Sequence, residues 1–157
     1  MLYFFPELLI FFLSVNAQKE LNIDCIFSEL GKLEGSILVE LHKDVLGNHT
    51  HIHFYKSLTL TVNTDQIKSV EEAVTKDVKT GRVIFQSAGN GKVETASYCL
   101  EKLTESPHYE YILFSVRSKK MTLMYIKGQF QPHHLDNELN KLKNLFITVN
   151  NKRIKLK

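Results

Sequence analysis

The chain contains no tryptophan and only two cysteines, Cys25 and Cys99. It also lacks any uninterrupted apolar run of the roughly 18 residues that a membrane-spanning helix requires, so membrane insertion by a helix is not expected. No Gly-x-Ser-x-Gly elbow, phosphate-cradling glycine loop, His-Glu-x-x-His pair or paired-carboxylate motif occurs, which leaves no catalytic residue to name and no cofactor to expect. Basic residues are not concentrated either: the net charge is +3 with 20 Lys+Arg spread along the chain. That excludes a nucleic-acid footprint. The one basic cluster, Lys152 to Lys157, reads as a solvated terminal strand. Internal repeats, low-complexity tracts and linkers are absent as well, so a single domain is expected.

What is present begins with a leader-like segment. Met1 to Ala17 is apolar from Leu8 to Leu13 and ends in Val15, Asn16 and Ala17, the small-residue pattern that a signal peptidase reads. The expectation is therefore a signal peptide at 1–17, a mature domain at 18–157 and secretion. In an oxidising compartment an even cysteine count predicts one disulfide, Cys25 to Cys99. Asn48, followed by His49 and Thr50, forms a glycosylation sequon in an expected turn.

Alternating apolar and polar residues predict strands at Gly35–His42, Thr50–Tyr55, Leu58–Val62, Val70–Val78, Gly81–Gln86, Lys92–Leu103, Tyr109–Val116 and Met121–Ile126. Arg117 to Lys120 and Gly89 to Gly91 supply hairpin turns. Pro132 stops the sheet, and Leu135, Leu139, Leu142 and Phe146, at i, i+4, i+7 and i+11, mark one apolar face of a helix. A short strand region, Phe146–Val149 to Arg153–Leu156, follows. Eight strands with short connections imply a meander, and eight is the number that closes around one small ligand.

The last third resembles a lipocalin. Tyr111 to Phe114 is similar to that family's strand G, Lys127, Gly128 and Gln129 stand where lipocalins end strand H with Tyr-Gly-Arg, and Leu135 to Leu139 is similar to the helix that follows. Gly35, Ser36 and Ile37 occupy the place of the family's Gly-x-Trp, so the tryptophan and its arginine partner are absent together. The resemblance implies an all-β, eight-stranded antiparallel up-and-down barrel with a C-terminal α-helix outside it. A lipid-recognition β-sandwich is the alternative fold.

Phe54, Leu60, Phe85, Tyr98, Tyr111 and Tyr125 are the residues expected to line a ligand cavity, with Tyr98 or Tyr111 orienting the ligand through a hydroxyl. The same aromatics, Phe114 among them, would equally fill a solid barrel, and which strand faces point inward stays open. His49, His51 and His53, two residues apart, would share one strand face about 7 Å from one another. That spacing is wide for one tetrahedral ion, so they read as a solvated face and no metal is expected. His133 and His134 read as exposed residues before the helix. Cys99 as a thiol nucleophile has no local base to activate it.

The resulting expectation is a non-enzymatic secreted carrier of a small hydrophobic molecule, the resemblance implying an odorant, pheromone, steroid, retinoid or fatty acid. The alternative is a secreted partner, for instance of a cell-surface receptor, that acts through its surface over a filled core and would display an exposed apolar patch.

Overall fold

The computed structural model describes residues 20–102, 105–144, 146–149 and 152–155. The expected leader at 1–17 lies outside them. In chain order the elements are α1 (Asn22–Leu30), β1 (Ile37–His42), α2 (Lys43–Leu46), β2 (Ile52–Thr61), α3 (Thr64–Asp77), β3 (Arg82–Gly89), β4 (Lys92–Cys99), β5 (Tyr109–Arg117), β6 (Lys120–Gly128), a 3₁₀ turn (Pro132–His134), α4 (Leu135–Lys143), β7 (Phe146–Val149) and β8 (Lys152–Lys155). β1 to β6 form one antiparallel sheet in the order β1-β2-β6-β5-β4-β3, and β7 and β8 form a separate two-stranded sheet.

The expected eight-stranded barrel is not formed. Its second and third strands are one continuous strand, β2, and the segment expected to supply the fourth is helical. Ile67, Val70 and Val74 follow the helical period, with Val70 and Val74 buried and Ile67 packed against the same core, while Lys68, Glu71, Glu72 and Lys76 occupy other faces. Asn63 caps this helix: Gln66 N donates to Asn63 Oδ1 at 2.8 Å and Asn63 N donates to Gln66 Oε1 at 2.9 Å, a reciprocal box that satisfies two otherwise orphaned amides. The chain leaving β2 thereby crosses the sheet and re-enters at its far edge. β1 and β3 consequently remain two open edges, with no pairing between them.

The hairpins match their turn chemistry. β5 and β6 are joined by Ser118 and Lys119 at φ 48° and 64°, and β3 and β4 by Asn90 and Gly91 at φ 53° and 76°. Both two-residue loops take the left-handed pair that suits the twist of adjacent antiparallel strands.

Strand alternation divides the interior in two. One face carries Leu58, Leu60, Ile112, Phe114, Met121 and Leu123 under α1 and α3, which contribute Ile23, Phe27, Val70 and Val74. The opposite face carries Tyr55, Tyr111 and Ile126 under Leu46 of α2 and Leu135 and Leu142 of α4. The structure is therefore a sheet with helices on both faces. Asp77, the last residue of α3, ties the first layer together: its Oδ1 accepts from Asn22 N and Nδ2, both at 2.7 Å, and its Oδ2 from Ile23 N at 2.8 Å. A carboxylate at the amide-rich start of α1 is favourable for charge as well as for hydrogen bonding.

Cys25 and Cys99 are free thiols, the first exposed and the second buried. The expected disulfide is absent for a topological reason. Cys25 rides on α1 above one sheet face, whereas Cys99 packs in the core of the other.

Candidate functional site

The second face of the sheet is covered only in part. Beside the start of α4 it leaves a groove of about 540 Å³, within the range of small-molecule sites. Residue alternation builds its floor. Thr95 and Ser97 of β4, Leu113 and Ser115 of β5, and Thr122 and Met124 of β6 line it; edge strand β3 contributes Ile84 and Phe85, and the opposite wall is Pro132, His133, Leu135 and Asp136.

The register sorts this floor into two parallel rows. Ser87 pairs with Thr95, Thr95 with Ser115, Ser115 with Thr122 and Thr122 with Thr59, which sets hydroxyls in register across five strands. Two of these links are close enough for weak contacts, Thr95 Oγ1 to Ser115 Oγ and Thr59 Oγ1 to Thr122 Oγ1, both 3.4 Å. Beside it Phe85 pairs with Ser97, Ser97 with Leu113 and Leu113 with Met124, a mainly apolar row. One edge of the floor can exchange hydrogen bonds and the other can remove apolar surface from water.

A buried carboxylate fixes the wall. Glu138 of α4 is 2% exposed. Its Oε2 accepts from Thr50 Oγ1 at 2.7 Å and His51 N at 2.8 Å, and its Oε1 faces His51 Nδ1 and Lys141 Nζ, both at 2.9 Å. Burial disfavours the ionised form, yet the bonds from Lys141, the His51 amide, Thr50 and the His51 ring more than offset it and hold the carboxyl near a pKa of about 2. The node clamps α4 to the residues that open β2. Gly128 allows the close approach beside it, since a Cβ there would lie 2.5 Å from the Phe130 ring and 2.7 Å from His51 O.

The residues expected to share one cavity are dispersed. Leu60 and Tyr125 belong to the core under α1 and α3, and Phe54 packs its ring on Tyr125 at 5.9 Å between centroids. Tyr111 lies in the opposite core, stacked on Phe130 at 4.9 Å and donating its hydroxyl to Phe130 O at 2.5 Å. Burial, with the Cys99 and Tyr109 groups nearby, pushes its phenol well up. The Tyr125 phenol is likewise raised, first by burial and then by Glu110, to which it donates. These side chains fill space. Of the six, only Phe85 reaches the groove just described, and Tyr98 lines a different one of about 840 Å³ between α3 and the β3–β4 hairpin. That second groove is bordered by Lys68, Glu71, Lys92 and Glu94, long side chains of both signs that suit a hydrated surface.

The three alternate histidines part company because β2 begins only at Ile52. His49 is exposed, His51 turns to Glu138, and His53, at a bulge between Ile52 and Phe54, places Nδ1 2.7 Å from His108 Nε2. His108 Nδ1 in turn lies 3.2 Å from Ser106 Oγ. Among the described residues no group of three His, Cys, Asp or Glu side chains is arranged to hold a metal. The His133 and His134 rings lie against each other at a tilt of 43° with centroids 3.9 Å apart, and His133 borders the groove. Asn48 is exposed, whereas the sequon's Thr50 is buried on Glu138.

Sequence reasoning missed Glu138 and the hydroxyl row. The first had a signal: Glu138 stands on the helical stripe with Leu135 and Leu142, where a carboxylate needs buried partners. The second had none, since a row across strands exists only once the register is known.

A model of a family of unknown function, DUF6108, matches residues 10–139. No curated protein and no solved structure matches the chain. Among the described residues, no helix is long and apolar enough to cross a membrane.

Proposed function

We propose that this chain, which belongs to the DUF6108 family, is a non-enzymatic binder of a small amphipathic molecule, held in the open groove beneath Phe85 instead of inside a barrel. The supporting observation is the pair of adjacent rows, hydroxyl and apolar, on a floor whose volume is about 540 Å³. A ligand that fits has an apolar face and an edge of hydroxyl or carbonyl groups, and binding is driven by the apolar area removed from water. A leader at Met1–Ala17 would make the protein a secreted carrier; the intact mass of the protein recovered from its native host tests that cleavage.

The groove is tested by titrating the protein with 8-anilinonaphthalene-1-sulfonate and by native mass spectrometry of protein purified without denaturation. A saturable signal is expected, and Ser115→Phe, which fills the floor, should weaken it by about tenfold or more, some 1.4 kcal/mol, with the far-ultraviolet circular dichroism retained. A signal unchanged by Ser115→Phe would place the probe elsewhere and sink the proposal.

A second reading, action through the surface on another protein such as a cell-surface receptor, is favoured by a separate feature. Leu33, Ile37, Leu38 and Val45 at the β1 end of the sheet are 42%, 62%, 44% and 55% exposed, a concentration of apolar surface of the kind that marks interaction sites.

A further inference from the structure

The strand register continues past the hydroxyl row. One step further along β5 and β6, Arg117 pairs with Lys120, and Lys120 pairs with Thr61 of β2. Side chains alternate along a strand, so Arg117 falls on the face of Ser115 and Lys120 on that of Thr122, and both hydroxyl residues line the groove. The face is therefore zoned along the strands: two cations, then the hydroxyls, then the apolar row of Leu113 and Met124, at steps of about 7 Å. The strand charges on this face share one sign. The glutamates of β1 to β6 alternate onto the opposite face: Glu40 precedes Leu41, which pairs with the groove-side Tyr55, Glu94 precedes Thr95, and Glu110 accepts from Tyr125 of the core under α1 and α3. Arg117 and Lys120 are exposed, and among the described residues neither is in an ion pair. Arg82 lies at the far end of the same face, in register with Cys99. Leu135 packs in the core of Cys99 and Tyr111, which puts the neighbouring Asp136, the carboxylate that lines the groove, toward that far end as well.

We propose that the ligand of the groove is an anionic amphiphile, with a carboxylate, sulfate or phosphate head at Arg117 and Lys120, hydroxyl, ester or amide groups over the hydroxyl row, and an apolar tail against Leu113, Met124 and Phe85. This deepens the groove reading above and rests on it. The zoning sets the direction of the ligand. A head at the hairpin end finds two cations with no strand carboxylate on their face to neutralise them, whereas a head at the other end faces Asp136. A tail laid over the hydroxyls would displace their water without replacing its hydrogen bonds. The Arg117 guanidinium suits the paired oxygens of such a head, and Lys120 adds a point charge. Both cations are exposed, so the head stays partly in water; the charge selects among amphiphiles, while burial of the tail drives binding.

Isothermal titration calorimetry of the full chain with N-lauroylglycine and N-lauroylethanolamine, at micromolar concentrations, reads the preference. The two share tail and amide and differ in the charge of the head. The glycine conjugate is expected to bind about tenfold more tightly at low ionic strength. That ratio should narrow between about 0.01 M and about 0.15 M salt, where the screening length falls from about 30 Å to about 8 Å. Arg117→Gln combined with Lys120→Gln should bring the two affinities to within about twofold of each other, with the far-ultraviolet circular dichroism retained, and Ser115→Phe should weaken both conjugates. Equal affinities in the wild type overturn the inference and leave the groove reading standing. A ratio that survives the double variant but vanishes in Arg82→Gln also overturns it, by placing the head at the other end, as does binding that Ser115→Phe leaves untouched. If neither conjugate binds, nor 8-anilinonaphthalene-1-sulfonate, the groove reading fails and the inference falls with it.

Discussion

Glu138 is ionised although burial disfavours its charged form, and that makes it the residue whose chemistry is most measurable. Its carboxyl is held near a pKa of about 2, against an ordinary 4.5, so the folded state binds the proton less readily than the unfolded chain. Its contribution is therefore complete above pH 4.5 and is lost as pH falls toward about 2. Glu138→Gln keeps the shape but not the charge, and should lower unfolding stability by about 3 kcal/mol at pH 7. Urea unfolding of both proteins at pH 7, 5 and 3 checks this; the gap should narrow at the lowest pH, and a gap that stays constant would refute the assignment. Half of this node was legible in advance, in a glutamate on an apolar helical stripe. Its partner Thr50 was not, because a threonine opening an expected strand gives no sign that a helix residue 88 positions away will cover it.

Among the elements, α3 decides the architecture, and its two ends are secured by different chemistry. Asn63 closes its start within the helix, while Asp77 at its end serves the amides of α1. Asn63→Ala should cost about 1 kcal/mol, and Asp77→Ala about 2 kcal/mol through three lost bonds to a charged acceptor. Fourteen residues separate the sites by about 20 Å of helix, so the double variant should lose the sum to within about 0.5 kcal/mol in thermal or urea unfolding. A marked departure from additivity would show that the two caps are not independent. The β5–β6 and β3–β4 hairpins and the helix from Leu135 were readable because turn residues and periodicity agreed locally. At Val70–Val78 they did not: two glutamates and a lysine–aspartate pair fit an exposed helix face as well as a strand, and the capping signal of Asn63 and Gln66 lay just upstream of the segment considered.

For the whole molecule, the difference between a closed barrel and an open sheet comes from that one helix, and the cysteines report on it directly. A barrel whose N-terminal segment crossed its mouth could bring Cys25 to Cys99; a sheet with helices on both faces separates them by its own thickness. Cys25 on α1 is exposed, and its thiol, 3.3 Å from Glu29 Oε1, is raised in pKa first by that hydrogen bond and then by the carboxylate charge. Cys99 is 5% exposed and raised chiefly by burial. Since thiolate fraction and access govern reactivity, a colorimetric disulfide reagent at pH 8 without reductant should titrate one thiol in the native protein, slowly for an exposed cysteine. The second should appear only in denaturant. Cys25→Ser should abolish the native reaction and leave the denatured one, whereas Cys99→Ser should do the opposite. If no thiol reacts even in denaturant until a reductant is added, the two sulfurs are bonded, and the layered arrangement that keeps them on opposite faces of the sheet is wrong.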